Sequence, residues 1–479
     1  MHRKTRNDSH NPQRRRVLAG LAAAGAAAAL PGCGDSVGVS TAGAGLPVLP
    51  RPEDSGIDHI VQVMMENRSF DHMLGWVPGA RAMQQRVFRN AFGELVPTFP
   101  LAEDPAYGFQ GCGWADPAHG YEDGRVHLNN GAMDGFLLTE GTASNPQDRF
   151  PVGYYRREDL PFYAGVAEHF TVCDHYFHGI LSSTFPNRIY IHAGTTDRNT
   201  NTLPYAQQAP STLPTIWDQL IERGIPCANY FSDLPLTGLW GPKYLEITKP
   251  FSQFLIDAAT GNLPAVSYFD PFFGAAVGES PFGISQDDHP QADVRDGQAY
   301  LTRIYNALRN SPNWERTLMI VTYDEWGGFY DHVVPPFAPV TGPEAEFNDG
   351  RLGFRTPCVI IGPRARKGHV CHLQFDPNSV INLIRWRWGL DWVGTSPRNE
   401  TSLNMAYALD FDNPPDPRAP AFDSPEGRNG IPGLPFGMEC HVSSLVTNPA
   451  SVTRHPSLDR HQAEWDALAQ MCRRYGFIT

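Results

Sequence analysis

The sequence predicts an α/β fold, layered around a mostly parallel central sheet. Three observations carry that expectation. Residues 60–65 (IVQVMM) and 317–322 (TLMIVT) are short, nearly continuous apolar runs with the length of strands buried on both faces. Such runs alternate along the chain with segments of helical spacing, the pattern of a layered α/β protein. Both runs end abruptly in polar residues, Glu66-Asn67 and Asp324-Glu325, where open α/β sheets bind their ligands.

Taken in order, residues 14–31 (RRRVLAGLAAAGAAAALP) join a basic start to an Ala-rich run too short and too mildly apolar to span a bilayer. Residues 1–32 therefore read as a signal peptide, and Arg14-Arg15 gives it the look of a twin-arginine export signal. Leu30-Pro31-Gly32-Cys33 resembles a lipoprotein cleavage site that would acylate Cys33, with plain cleavage nearby as the alternative. The expected destinations are the periplasm, a membrane-anchored lipoprotein or secretion. Residues 33–55, rich in Gly, Ser and Pro, read as a flexible tether, followed by a single domain over 56–479.

Removing residues 1–32 takes away six Lys/Arg and one acid, which moves the formal charge from −13 to −18. That field repels nucleic acid and disfavours DNA or RNA as substrate. The eight cysteines contain no CxxC pair, so a zinc–thiolate site is not expected.

After the opening strand, residues 77–160 form a loop-rich insertion. Residues 170–173 make a short strand, and residues 181–190 (LSSTFPNRIY) lead into a helix with Pro186 suited to its first position. Residues 213–222 are helical, 228–231 and 266–269 are strands, and 293–310 form an amphipathic helix. A strand at 356–362, a helix at 376–388, a Pro/Gly-rich wrap at 413–437 and a last helix near 456–474 complete the chain.

The chemistry concentrates at the strand ends. Glu66, Asn67, Asp324 and Glu325 supply three carboxylates and an amide oxygen, a donor set suited to a hard divalent cation of unspecified identity, or to zinc in an oxygen-rich site. For one such pair alone, salt-bridging or helix capping is the competing role. Ser182-Ser183-Thr184 offers hydroxyls at a helix start, where free N–H groups favour an anion, and Arg188 could bind phosphate bidentately. Histidines stand beside acids at Asp116/His119, Asp288/His289 and Asp331/His332, as groups able to protonate a leaving group.

The stretches MMENRSFDHMLG, TFPNR, DDHP and YDEWGGFYDHVVPP resemble, in order, the signatures of the bacterial phosphoesterase family of phospholipases C and related acid phosphatases. The resemblance implies an alkaline-phosphatase-like three-layer α/β/α sandwich. It implies Glu66, Asn67, Asp324, Glu325 and Thr184 around a metal, with Thr184 as nucleophile. It further implies His119, Asp288, His289 and His332 lining a phosphate site, and Arg188 as a buttress rather than a substrate ligand. The expected reaction is two displacements through a phospho-threonine, most simply on a phosphodiester such as phosphatidylcholine, with phosphomonoesters as the alternative. A sulfatase, suggested by the spacing of Thr184 and Arg188, is disfavoured because threonine cannot yield the required aldehyde. The non-enzymatic alternative is a binding lipoprotein that keeps the fold without turnover.

Overall fold

The computed structural model describes residues 46–479, apart from 104–107, 112–113, 202–209, 275–284, 291, 395, 426, 428–434 and 437–455. The expected signal peptide, Cys33, most of the tether and part of the 413–437 wrap lie outside the described residues. The chain divides into residues Met1–Leu46 and a second unit, Pro47–Thr479, to which everything below refers.

The central sheet has eight strands: β1 (His59–Met65), β2 (Thr171–Cys173), β3 (Cys227–Phe231), β4 (Thr248–Pro250), β5 (Val266–Asp270), β6 (Thr317–Tyr323), β7 (Cys358–Ile361) and β8 (His369–Cys371). Their order across the sheet is β8-β2-β7-β6-β1-β5-β3-β4. Every pairing is parallel except the two made by β7, which runs against both β6 and β2. The apolar run at 356–362 is thus a strand of opposite direction to its neighbours.

Alternation along β1 and β6 builds the layers. Ile60, Met64, Leu318 and Ile320 enter one apolar cluster, whereas Val61, Val63, Met65, Met319 and Val321 enter another. The first cluster is closed by the helices Thr184–Ala193, Ile216–Glu222, Pro377–Trp388 and Pro456–Tyr475. The second is closed by Phe70–Leu74, Pro161–His169, Phe251–Thr260 and Val294–Arg309. Helices on both faces of one sheet make a three-layer α/β/α sandwich.

A third, smaller cluster lies within the insertion, where Leu128, Met133, Phe136 and Leu137 pack with Leu181, Trp326 and Tyr330. The insertion is more ordered than its composition suggests: it holds the helix Tyr121–Leu128 and a hairpin of Val87–Arg89 against Leu95–Pro97. Regular structure also starts earlier than residue 56, because Pro52–Asp54 form a helical turn and Ser55 O accepts from Arg364 Nε at 2.8 Å. Residues 417–420 of the wrap lie against the long helix and its flank, their carbonyls accepting from Trp314, Arg309 and Tyr305. Among the described residues Cys173, Cys227, Cys358, Cys371 and Cys472 are free thiols.

Candidate active site

Register brings the acidic strand ends together. Met65 pairs with Tyr323 across β1 and β6, so Glu66 and Asp324 emerge side by side at the carboxyl edge of the two central strands. The chain then turns sharply. Asn67 adopts a left-handed φ of 53°, its N–H donates to Asp324 Oδ1 at 3.1 Å, and Arg68 N–H donates to Glu325 O at 3.1 Å. Glu325 Oε2 accepts from Gly327 N–H at 2.6 Å.

Thr184 arrives from the first-cluster face. It opens its helix one residue after Ser183, so Pro186 occupies the third helical position rather than the expected first. Proline is tolerated there because first-turn N–H groups have no intrahelical acceptor. Asn187 shapes the approach: its amide donates to the carbonyls of Ile180, Ser182 and Ser183, and its oxygen accepts from Ile180 N–H. Thr184 Oγ1 donates to Glu66 Oε2 at 3.3 Å, with both residues fully buried. One of the supposedly free N–H groups is already used, since Phe185 N–H donates to Asn201 Oδ1 at 2.7 Å. Asn187 lies within the TFPNR stretch without being singled out there, and Asn201 did not stand out in the sequence at all.

Arg188 is a buttress. Its Nε and Nη2 donate to Glu66 Oε1 at 3.1 and 2.6 Å, and its remaining donors reach Met64 O and Met65 O at 3.0 and 3.2 Å. With its donors committed to the scaffold, it has no fork to offer phosphate.

Three further oxygens at this edge, Asn67 Oδ1, Asp324 Oδ2 and Glu325 Oε1, are buried and accept no hydrogen bond. Arg188 Nε lies 3.4 Å from Asp324 Oδ2 in an ion pair, and His119 Nε2 lies 3.7 Å from Glu325 Oε1. Burial, then the charge of Asp324, push the carboxyls of Glu66 and Glu325 well above their usual range. Three buried carboxyl groups thus share one guanidinium at this edge, where three oxygens accept no hydrogen bond. This donor set fits a hard divalent cation held by Glu66, Asn67, Asp324 and Glu325, with Thr184 alongside.

Two histidines complete this edge. His119 Nδ1 donates to Pro117 O at 2.6 Å, which leaves Nε2 to accept from Asn67 Nδ2 at 3.2 Å. His289 likewise spends Nδ1 on Pro290 O, and the two rings lie 5.7 Å apart. Asp116 sits between them, 4.0 Å from His119 Nδ1 and 3.9 Å from His289 Nε2. Burial pushes its carboxyl up to about 6, against the pull of His119 and Arg68.

Two expected members lie elsewhere. His332 Nδ1 is bonded to Asp71 Oδ2 at 2.6 Å, in a separate group where Arg355 bridges Asp71 and Asp331. Asp288 directs its carboxylate into the second core layer, where Tyr323 Oη donates to it at 2.5 Å. Gly297 packs so closely that an added Cβ would stand 1.9 Å from Asp288 Oδ1. Asp288 itself takes a left-handed φ of 75°.

The chain is similar to known proteins over most of its length. The family model described as the phosphoesterase family matches residues 57–391. Phospholipase C B of Mycobacterium tuberculosis is 31% identical over 464 residues, covering 84% of this chain and 86% of that protein. Non-specific phospholipase C1 of Arabidopsis thaliana is 32% identical over 395 residues, covering 72% and 71%. Among solved structures, a phosphonate monoester hydrolase from Silicibacter pomeroyi is 13% identical at a TM-score of 0.31, covering 50% of this chain and 71% of its own.

Proposed function

The chain belongs to the phosphoesterase family and is a hydrolase of phosphoric ester bonds, and from that premise we propose that it is a metal-dependent phospholipase C. The observation that carries the reading is the meeting of Thr184 Oγ1 with Glu66 Oε2 at 3.3 Å, at the sheet edge where oxygens of Asn67, Asp324 and Glu325 are buried without a hydrogen bond. The phospholipase C relatives support a phosphodiester over a monoester as substrate.

A divalent ion held by these residues would supply the positive charge that acidifies the Thr184 hydroxyl and neutralises phosphoryl oxygens. The protein's own groups do the rest. Thr184 Oγ1 attacks phosphorus in line, its proton leaving toward Glu66 Oε2. The bond from phosphorus to the diacylglycerol oxygen breaks, and an imidazolium at His119 or His289 protonates the departing alkoxide. Asp116, close to both rings, stabilises that imidazolium. Water then attacks the phospho-threonine, Thr184 recovers its proton, and two inversions leave net retention at phosphorus. Glu66 is oriented throughout by Arg188. Residues 1–32 and Cys33 extend the reading to an exported, lipid-anchored enzyme.

Hydrolysis of p-nitrophenyl-phosphorylcholine and p-nitrophenyl phosphate by the wild type and Thr184→Ala tests this. Faster diester cleavage, abolished by Thr184→Ala, is expected. Preference for the monoester overturns the substrate class, and an active Thr184→Ala overturns the mechanism.

A further inference from the structure

We propose that the hairpin over residues 81–97 is a lipid-surface docking element that seats the site on a phospholipid bilayer. This rests on the phospholipid reading above. Strand alternation divides the hairpin into two faces. Phe88 is buried and Val96 half-buried, both turned onto the third apolar cluster, whereas Val87, Arg89, Leu95 and Pro97 face outward in the register Val87↔Pro97 and Arg89↔Leu95. The outward face and tip carry Leu95 at 65% exposure, Val87 at 56% and Phe92 at 53%, with Met83 at 42% just before.

A soluble protein gains nothing from an apolar hairpin tip, and an exposed strand pair of this kind invites aggregation unless something covers it. Further exposed apolar side chains, Val126, Leu138, Val334 and Phe337, come from segments around the same cluster.

Charge selects the occupant. In a chain of net charge −13, residues 81–97 hold Arg81, Arg86 and Arg89 against Glu94 alone. Arg86 turns inward over the rings of Phe88 and Tyr330, whereas Arg89 is exposed on the outward face opposite Leu95. An exposed apolar face that also carries a cation suits the boundary between acyl chains and phosphates. Position connects the hairpin to the chemistry. Phe88 packs edge-on to Tyr330 at 4.9 Å, and the cluster beneath contains Trp326 and Leu181. Trp326 directly follows Glu325, and Leu181 stands three residues before Thr184. A bilayer engaged by this hairpin is thereby brought to the end of the sheet that carries the site.

The test is sedimentation of the full chain with sucrose-loaded phosphatidylcholine vesicles, run beside hydrolysis of the same vesicles and of soluble p-nitrophenyl-phosphorylcholine. The double variant Phe92→Asp/Leu95→Asp should cut the pelleted fraction at least fivefold and vesicle hydrolysis with it, leaving kcat/KM on the soluble diester within twofold. The control Ile221→Asp/Ile256→Asp, which charges exposed apolar positions on two other helices, should pellet as the wild type does. Failure of the wild type to pellet, unchanged pelleting of the hairpin variant, or an equal loss on the soluble diester each overturns the proposal. Absence of diester hydrolysis in the wild type would instead overturn the phospholipase reading, while sedimentation still decides the docking.

Discussion

Arg188 Nη2 lies 2.6 Å from Glu66 Oε1, and both side chains are shut away from solvent. The same guanidinium reaches two carbonyls of β1 and stands 3.4 and 3.7 Å from Asp324 and Asp270. It is therefore the counter-charge that lets the central strands end in acids and the fork that fixes where those acids point.

Arg188→Gln should destabilise the protein by roughly 3–5 kcal/mol, the scale for stripping one partner from a buried ion pair. Urea denaturation measures it. Arg188→Lys keeps the charge but loses the planar fork, so kcat should fall at least tenfold with a smaller change in stability. A Lys variant with wild-type kcat would show that the fork does not orient Glu66.

Chelation should abolish hydrolysis and leave a protein whose stability depends on pH in a defined direction. Burial and Asp324 raise the Glu66 and Glu325 carboxyls in the ion-free protein. A carboxyl raised on folding contributes stability below its unfolded pKa and loses it as pH rises through the folded one. A bound divalent cation removes that penalty. The Tm difference between loaded and stripped protein should therefore widen from about pH 5 to about pH 8. A constant difference would mean that these carboxylates do not face the ion.

The central strands were legible because burial on both faces makes them continuous apolar runs, and their acidic ends do meet at one edge of the sheet. Direction was not legible: the residues of β7 read like those of its parallel neighbours, since hydrophobicity carries no arrow. The edge strands β4 (Thr-Lys-Pro) and β8 (His-Val-Cys) were missed because three residues with one buried face or none leave no period to detect. At the site, Glu66, Asn67, Asp324, Glu325, Thr184, His119 and His289 meet as neighbours, whereas Asp288 and His332 do not. Standing next to a strand end says nothing about where a side chain points. Tyr323 claimed the Asp288 carboxylate, and Asp71 claimed His332 from 261 residues away.

Asp116 should give a pH signature of its own. Its carboxyl is pushed up to about 6 by burial, so in the wild type it favours folding when protonated and disfavours it when ionised. Asp116→Asn removes that titration. Between about pH 7 and about pH 5 the wild type should gain about 1 kcal/mol on the variant, read from urea melts at the two values. A gap that stays fixed would place the Asp116 pKa at its ordinary value.

Gly327 is the position where the smallest addition should do the most harm to the chemistry. It has φ 61°, and an added Cβ would stand 2.1 Å from Asn67 O and 2.6 Å from Asn67 C. Those are main-chain atoms, so no rotamer change relieves the clash; the Asn67 turn or the Gly327 turn must move. Asn67 carries one of the unpartnered oxygens, and Gly327 N–H holds Glu325 Oε2, so either movement shifts a residue assigned to the cation. Gly327→Ala should lower kcat at least a hundredfold and weaken divalent-ion binding measured by calorimetry. Gly342 provides the comparison, because it has a similar φ of 63° but nothing within 4 Å of an added Cβ. Gly342→Ala carries only the left-handed backbone cost of about 1 kcal/mol and should leave kcat and ion affinity unchanged. Equal losses in the two variants would assign the Gly327 effect to backbone strain alone.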